Sequence, residues 1–410
     1  MSFTYRSITF GCKVNRVESD GFEASLEAAG LGRGDDSAST DVVVVNTCTV
    51  TAEADSKVRK AVRRALRESP HATVFVTGCA ASIDPAGLAA LDARVHIVSD
   101  KSAVVPEILD SLGIDGPKPG LDPHPFAQGS RTRLPVKIQD GCDNACTYCI
   151  IHVARGPERS EATASILETI EKAVDAGVRE VVLTGINLGR YSTAEAPDLA
   201  TLIGLMDATG VERVRLSSIE PPDITDALID AIARSSSFMP HLHIPLQSGS
   251  DPVLIAMGRR YTTSDFAGRI LRLREAIPGI ALTTDVIVGF PGESDDDFAR
   301  TLGFVEHIGF SKVHTFRYSP RADTPAATRA DQVEPAVKSE RSAALMDLSN
   351  RLRAAAIADR SPRPYRVLVE SFDDGVAVGT SEDYFRVTFE PAAEVSVGDV
   401  VEVSRPSSVA

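Results

Sequence analysis

Three cysteines lie close together in the middle of the chain, at Cys142, Cys146 and Cys149, and we name them the loop cysteines. A loop with this C-x-x-x-C-x-x-C spacing can place three thiolates around three corners of an iron–sulfur cubane. Because no further cysteine follows nearby, one iron of a [4Fe–4S] cluster would stay open to a substrate or a cofactor. The alternative is a zinc site with His152 as the fourth ligand, since structural zinc takes four ligands.

The other three cysteines each follow a short apolar segment with the composition of a β-strand. These cysteines are Cys12, Cys48 and Cys79, named here the strand-end cysteines, and the segments are residues 6–10, 41–45 and 73–77. Because the carboxyl ends of parallel strands meet at one edge of a sheet, we expect the three thiols to converge. This placement predicts a second iron–sulfur cluster with three protein ligands, and the alternative is three small core residues.

Residues 1–125 alternate strand and helix patterns, which predicts an N-terminal α/β domain with a parallel sheet. The four valines at residues 42–45 are typical of a strand that is buried on both faces. Helices are predicted near residues 18–29, 52–68 and 85–91. Residues 113–130 are rich in proline and glycine and predict a linker.

Residues 131–359 continue the alternation of helices and strands, which closes most readily into a complete or partial (β/α) barrel. Functional sites in such barrels lie at the carboxyl ends of the strands. Several predicted strands end in glycine or polar residues. Four of these residues are candidate ligand contacts around the loop cysteines, namely Gly185, Asn187, Glu220 and Gln247.

Residues 362–410 contain short β-like segments separated by turn residues, which predict a small antiparallel β-barrel. RNA binding is one interpretation of this module, but its four arginines face nine acidic residues, so a strong grip on phosphate is not expected. Residues 57–67 predict a helix with six basic residues outside its apolar stripe, and this surface is either a solvated face or an RNA contact.

The formal net charge of −14 argues against indiscriminate nucleic-acid binding, because contacts to phosphate need lysine and arginine. No apolar run approaches the roughly 20 residues that a membrane span requires, and residues 1–10 lack the pattern of a secretory signal. In a reducing compartment, grouped cysteines favour metal binding or catalysis over disulfides. We therefore expect a cytoplasmic enzyme with no membrane partner.

The motifs around all six cysteines resemble those of the methylthiotransferase family of radical S-adenosylmethionine (SAM) enzymes, and the likeness covers essentially the whole chain. The matching segments are TFGCKVN at residues 9–15, NTCTVT at 46–51, TGCA at 77–80 and GCDNACTYCII at 141–151. Within this family, residues 11–15 are most similar to the branch that acts on N6-threonylcarbamoyladenosine beside the tRNA anticodon. The C-terminal module resembles the TRAM RNA-binding domain.

The resemblance implies two [4Fe–4S] clusters with separate roles. The cluster on the loop cysteines would cleave SAM reductively, and the resulting radical would remove the hydrogen from C2 of the adenine. The cluster on the strand-end cysteines would carry the methylated sulfur that is delivered to that carbon. The resemblance also implies a tRNA substrate, a low-potential electron donor of the flavodoxin or ferredoxin type, and SAM contacts from Gly185, Asn187, Glu220 and Gln247.

Other functions fit the same residues. Within the family, the alternative substrates are isopentenyladenosine in tRNA and an aspartate of a ribosomal protein, although Lys13 and Val14 favour threonylcarbamoyladenosine. From a different class, the alternative is a non-catalytic iron–sulfur or zinc protein that binds RNA or senses redox state. Cleavage of SAM under strong reductant distinguishes an enzyme from such a protein.

Overall fold

The computed structural model describes residues 3–34, 39–49, 52–114, 132–360, 363–392 and 394–410. The predicted linker from residue 115 onward, and residues 50–51 of the second cysteine motif, lie outside these ranges. Most of the boundary residues between the predicted domains lie outside them as well. The domain limits 1–125, 131–359 and 362–410 therefore stay predictions.

A parallel sheet forms the N-terminal part of the chain. Its strands are β1 Thr4–Thr9, β2 Gly32–Arg33, β3 Val42–Thr47, β4 Thr73–Gly78 and β5 Val95–Ile97. They lie in the order β2-β1-β3-β4-β5. The valines at residues 42–45 are buried and alternate between the two apolar cores that cover the sheet, which confirms that this strand is buried on both faces.

Helices cover both faces of this sheet. They are α1 Lys13–Ala28, α2 Ala52–Glu68, α3 Cys79–Ile83, α4 Pro85–Ala89 and α5 Val104–Ser111. The prediction for α1 began too late, because Val14 and Val17 already belong to its buried face. The prediction also missed α3. Pro85 takes the first position of α4, and Asp84 accepts a hydrogen bond from the Gly87 N–H, so this segment divides into two helices.

The middle of the chain is a partial barrel. Its parallel strands are β6 Arg133–Lys137, β9 Glu180–Thr184, β10 Arg213–Leu216, β11 His241–His243, β12 Ala281–Val288 and β13 Lys312–Arg317, and a short antiparallel pair, β7 Gln139–Asp140 and β8 Arg159–Ser160, follows β6. The sheets β6-β9-β10 and β11-β12-β13 are joined by a parallel bridge between Val214 and Phe238. No ladder among the described residues pairs β6 with β13, so the barrel stays open. A partial barrel was one of the two predicted forms.

The barrel helices are α6 Ile151–Arg155, α7 Thr163–Asp175, α8 Leu199–Met206, α9 Asp226–Arg234, α10 Asp251–Ala256, α11 Thr263–Ala276, α12 Asp295–Ile308 and α13 Pro335–Arg360. Helices α11 and α12 each begin with a capping box, made by Thr262 with Asp265 and by Ser294 with Asp297. Buried residues of the strands and of most helices form one apolar core. None of the helices in the described ranges has both the length and the apolar character of a membrane span.

An antiparallel sheet ends the chain, as predicted. Its strands are β14 Tyr365–Asp373, β15 Val376–Ser381, β16 Arg386–Phe389, β17 Val400–Val403 and β18 Ser408–Val409, in the order β17-β14-β15-β16-β18. Alternate residues of these strands, including Val367, Val369 and Val387, form a small core of their own.

Buried ion pairs join this C-terminal sheet to the barrel. Glu180 on β9 accepts hydrogen bonds from Arg213 at 2.6 Å and from Arg215 at 2.9 Å, and all three side chains are buried. The two arginines then donate to backbone carbonyls of the C-terminal sheet, including those of Thr380 at 3.1 Å and Ser381 at 2.6 Å. The barrel therefore fixes the position of the turn that follows β15.

Candidate functional site

The loop cysteines lie between β7 and α6, where the chain reverses direction at short range. Gly141, which precedes the loop, has φ +73°, and a Cβ there would lie 1.9 Å from the Pro157 carbonyl oxygen. The turn is closed by a hydrogen bond of 3.0 Å from the Cys149 N–H to the Cys146 carbonyl. A glycine is therefore required for this loop to form.

The barrel holds the middle of this loop. The Thr147 N–H donates to the Met257 carbonyl at 3.0 Å, and the Thr147 hydroxyl donates to the Ala256 carbonyl at 2.8 Å. The Ala326 N–H donates to the Thr147 carbonyl at 2.9 Å. These bonds fix the loop to the end of α10 and to the segment that follows β13.

Polar groups surround the thiols of the loop. Arg259 Nη1 lies 3.3 Å from Cys146 Sγ, and the same guanidinium forms an ion pair with Glu220. The Asn144 N–H lies 3.4 Å from Cys142 Sγ. Burial raises the pKa of the Cys142 thiol, and it raises that of Cys149 to about 11. These sulfurs therefore need a bound cation to be thiolates near neutral pH.

Among the described residues, neither cysteine set brings three ligand atoms as close together as one zinc ion requires. Four zinc ligands at about 2.0–2.3 Å from one ion would lie within about 4 Å of one another. In the described ranges, only His243, Asp285 and His314 form a trio of His, Cys, Asp or Glu ligand atoms within 4.8 Å of one another. Neither cysteine set does so, with or without His152. A cubane binds each thiolate to a different iron and tolerates wider spacing.

The strand-end cysteines follow neighbouring strands of the N-terminal sheet, and their convergence on one cluster stays a prediction. Cys12 precedes α1, Cys48 follows β3, and Cys79 begins α3 directly after β4. Gly11, at φ +105°, lies so close to Cys48 that a Cβ on Gly11 would be 2.9 Å from Cys48 Sγ. Asn15 Nδ2 donates to the Phe10 and Thr47 carbonyls, each at 2.8 Å, and so holds two of the strand ends together.

Arg155 lies between the two cysteine sets. Its Nη1 donates to Glu18 on α1 and to Asp140 on β7, each at 2.9 Å, and all three side chains are buried. Burial alone would lower the pKa of Arg155, but Glu18, Cys79, Asp140 and Cys12 outweigh burial and raise it. The guanidinium therefore joins the N-terminal sheet to the barrel next to both sets.

A cavity of about 780 Å³ opens between the N-terminal sheet, the interior of the barrel and the C-terminal sheet. Its wall includes Cys12 from the first part, Gly185 and Ser218 at barrel strand ends, and Tyr384 from the third. This volume lies within the range of small-molecule sites. All three parts of the chain therefore contribute to one open cavity.

Histidines and an aspartate form the polar side of this cavity. His243 Nε2 lies 3.3 Å from Asp285 Oδ1, and its Nδ1 lies 2.9 Å from the Thr283 hydroxyl, which also contacts His241 at 3.1 Å. Burial lowers the pKa of His314 and lowers that of His241 well below its ordinary value. This surface therefore offers neutral imidazole groups and a carboxylate to a polar ligand.

The predicted site residues did not include Arg155, His243, Asp285 or His314. Arg155 pairs with a carboxylate 137 residues away, and no local pattern indicates such a pair. The histidines carry a weak signal. His241 and His243 are two residues apart in a strand, so both point to the same face.

The predicted SAM contacts do not all lie on one wall. Gly185 lines the cavity, whereas Asn187 Nδ2 lies 3.9 Å from Cys142 Sγ and Glu220 binds Arg259 beside the loop. Gln247 has φ +65° and pairs through its backbone with Val286 of β12. This strained conformation at a strand end is typical of functional sites. Contact of these residues with SAM stays a prediction.

Family models match two parts of the chain. The radical SAM superfamily matches residues 136–305, and an uncharacterized protein family, UPF0004, matches residues 4–100. The first match contains the loop cysteines and most of the barrel. The second contains all three strand-end cysteines.

Curated relatives match almost the whole chain. The threonylcarbamoyladenosine tRNA methylthiotransferase MtaB of Bacillus subtilis is 39% identical over 96% of this chain and 92% of its own length. The protein of the same name from Thermotoga maritima is 38% identical over 94% of this chain and 91% of its own. The tRNA-2-methylthio-N6-dimethylallyladenosine synthase of Kineococcus radiotolerans is 36% identical over 99% of this chain and 85% of its own.

Solved structures share the fold at low sequence identity. The radical SAM methyltransferase TsrM of Kitasatospora setae has a TM-score of 0.58 and 16% identity, covering 80% of this chain and 77% of its own. The cobalamin-dependent SAM radical enzyme OxsB has a TM-score of 0.54 and 11% identity, covering 86% of this chain and 56% of its own. At these identities the likeness concerns the fold alone.

Proposed function

Because this chain belongs to the methylthiotransferase family of radical SAM enzymes, we propose that it converts N6-threonylcarbamoyladenosine beside the tRNA anticodon to the 2-methylthio derivative. The observation that carries the proposal is the shared cavity. Cys12 of one cysteine set and the strand ends beside the other set line the same space, which is large enough for a nucleoside. The wall combines polar and apolar groups, as a modified adenine requires.

Enzymes of this family use SAM and two [4Fe–4S] clusters, which supply a carbon-centred radical and a sulfur atom. In this chain the loop cysteines would hold the first cluster, and the strand-end cysteines would hold the second. Each set supplies three thiols, and all six cysteines are free rather than joined in disulfides. Each cluster would keep one iron free of protein ligands.

The remaining residues bind, orient and exclude water. Arg259 places a positive charge 3.3 Å from Cys146 Sγ, beside the loop. Arg155 fixes the loop relative to the strand ends, because its guanidinium binds Glu18 on α1 and Asp140 on β7 at the same time. His243 and Asp285 offer hydrogen-bond partners to the edge of a base.

The partners follow from this reaction. The substrate is tRNA, and reduction requires a low-potential electron donor of the flavodoxin or ferredoxin type. The reaction takes place in the cytoplasm, where the tRNA is modified. We favour the basic residues of α2, rather than the acidic C-terminal sheet, as the surface that contacts the RNA backbone.

Mass spectrometry of tRNA nucleosides tests the proposal. Deleting the gene should remove 2-methylthio-N6-threonylcarbamoyladenosine and leave N6-threonylcarbamoyladenosine in its place. The wild-type gene should restore the methylthio group, whereas a gene encoding Cys48→Ala should not, because the variant lacks one strand-end thiol. An unchanged nucleoside profile after deletion would contradict the proposal.

A second substrate deserves measurement in the same experiment, because relatives named dimethylallyladenosine synthases reach nearly the same identity over nearly the whole chain. Loss of 2-methylthio-N6-dimethylallyladenosine on deletion, with the threonylcarbamoyl nucleoside unchanged, would assign that substrate instead.

A further inference from the structure

Lys13 is the first residue of α1 and lies directly after Cys12, and both residues line the cavity. The side chain is exposed to this space. In the described part of the chain, no hydrogen bond or ion pair involves the Lys13 ammonium group. A flexible cation without a protein partner therefore stands beside one of the proposed cluster ligands.

The other guanidinium and ammonium groups of the cavity wall are already paired with carboxylates. Among the described residues, three arginines of the wall have such partners. Arg16 lies 3.5 Å from Asp20. Arg133 lies 2.7 Å from Glu370, and Arg215 lies 2.9 Å from Glu180. Lys13 is thus the cation of the described cavity wall that is free to bind an anionic ligand. An anion elsewhere on the wall would meet the Asp285 carboxylate.

The charge of Lys13 acts across the cavity. Burial raises the pKa of Tyr384, but Lys13, Arg133 and Arg215 outweigh burial and lower it. Lys13 also contributes, after burial and two neighbouring residues, to the lowered pKa of His241. Both residues lie on the cavity wall, so the positive potential of Lys13 extends into the space where a ligand would bind.

Helix stability does not explain this lysine. The N-terminus of a helix carries partial positive charge, so a cation in the first turn is unfavourable and an acidic residue is favourable. The first turn of α1 contains no acidic residue. A residue that breaks a local rule without a structural gain is expected at a functional position.

The two candidate substrates differ in the charge of the group attached to N6 of the adenine. The threonylcarbamoyl group on N6 ends in a free carboxylate, whereas the dimethylallyl group is uncharged and apolar. We infer that Lys13 is a specificity-determining residue that binds the carboxylate of the threonylcarbamoyl group and so places the adenine next to Cys12. This inference rests on the proposed function.

Two RNA substrates test whether Lys13 recognises the threonyl carboxylate or contributes to activity on any substrate. One is an anticodon stem-loop that carries N6-threonylcarbamoyladenosine, and the other is the same RNA with the threonyl carboxylate as its methyl ester. Wild-type holoenzyme should show a kcat/KM for methylthiolation about 10- to 100-fold higher for the acid, the range for a hydrogen bond between charged groups. Lys13→Met should lose this preference through a higher KM for the acid, and Lys13→Arg should keep part of it.

Two control variants separate the effect of the Lys13 charge from any effect on folding. Lys172→Met removes the same charge from an exposed lysine on α7, outside the cavity, and should leave the preference unchanged. Lys13→Glu should bind as much iron as wild type and unfold at a temperature no lower, because an acidic residue suits the first turn of α1. It should nevertheless prefer the ester.

The outcomes are distinct for the two proposals. If Lys13→Met methylthiolates the acid RNA and keeps the full preference over the ester, the role of Lys13 is wrong and the proposed function stands. If the wild-type holoenzyme cleaves SAM to 5′-deoxyadenosine but methylthiolates neither RNA, the proposed function fails, and the inference fails with it.

Discussion

The two cysteine sets are built in different ways. The loop cysteines lie within one turn of chain, closed by a local hydrogen bond and by a glycine with positive φ. The strand-end cysteines come from three separate strands, whose ends lie side by side because the parallel register aligns Thr9 with Asn46 and Thr47 with Gly78. The first set depends on a short segment, whereas the second depends on the whole N-terminal sheet.

This difference has consequences for what disturbs each set. A change in the barrel acts on the loop through Thr147 and Arg259, which contact residues far away in sequence. A change in sheet packing acts on the strand ends through their register. Arg155 belongs to both environments, because it contacts α1 and β7 at once. Variants at these positions therefore test whether the two sets are independent.

Removing one cysteine from each set should give the largest effects and separate the roles of the two sets. Cys142→Ala should abolish the formation of 5′-deoxyadenosine from SAM, whereas Cys48→Ala should retain it and lose methylthiolation. Both reactions are measured by chromatography and mass spectrometry on anaerobically reconstituted protein with matched iron analysis. Equal loss of SAM cleavage in the two variants would show that the sets are not separable.

Arg155→Met should disturb both sets together. It leaves Glu18 and Asp140 buried without their shared cation, which we expect to cost about 3 kcal/mol in the free energy of unfolding, because Lys101 and Arg159 still pair with these carboxylates. Methylthiolation should fall more than SAM cleavage, since it depends on the separation of the sets. Urea unfolding of the holoenzyme and both activity assays measure these effects.

The control for this variant is Arg159→Met. Arg159 pairs with Asp140 at 2.8 Å, but its side chain is 55% exposed, so its loss should cost at most about 1 kcal/mol. A similar loss of stability in the two variants would contradict the role of Arg155 as the buried link between the sets.

Arg259→Met should affect the loop cysteines alone. The variant loses the positive charge 3.3 Å from Cys146 Sγ, so the reduction potential of the first cluster should become more negative. SAM cleavage should fall about 10- to 100-fold, the range for losing a partner of a metal ligand, while the second cluster keeps its iron and its spectrum. Arg259→Lys keeps the charge and should recover part of the rate. A potential unchanged in Arg259→Met would argue against this electrostatic role.

His241→Phe should leave both sets intact and change only the pH dependence of stability. Burial lowers the pKa of His241 in the folded protein, so the unfolded chain binds more protons once the pH falls below about 6.5. This residue therefore does not change the pH dependence of stability well above that pH, and it reduces stability as the pH falls below it, by at most about 1.4 kcal/mol per pH unit.

The phenylalanine keeps the stacking on Tyr384, whose ring centroid lies 4.4 Å from that of His241. Urea unfolding at pH 7.5 and 5.5 should show a smaller acid destabilisation in the variant than in wild type. An identical loss in both proteins would mean that His241 is not the group that titrates.

The sequence by itself determined the features that depend on short stretches of chain. The loop cysteines could be identified because their spacing limits the geometry of a single turn. The strand with the four valines could be identified because side-chain burial on both faces requires a continuous apolar run. The expected convergence of the strand-end cysteines rests on a general rule of parallel sheets, and it stays a prediction.

Only the tertiary structure decided which distant residues meet. The pairs of Arg155 with Glu18 and of His243 with Asp285 join segments that carry no matching local signal. The unpaired state of Lys13 is likewise a property of the cavity, since it depends on which carboxylates already bind the other cations. Such contacts arise from the packing of the sheets and the barrel against one another, because side chains far apart in sequence meet only when whole elements do.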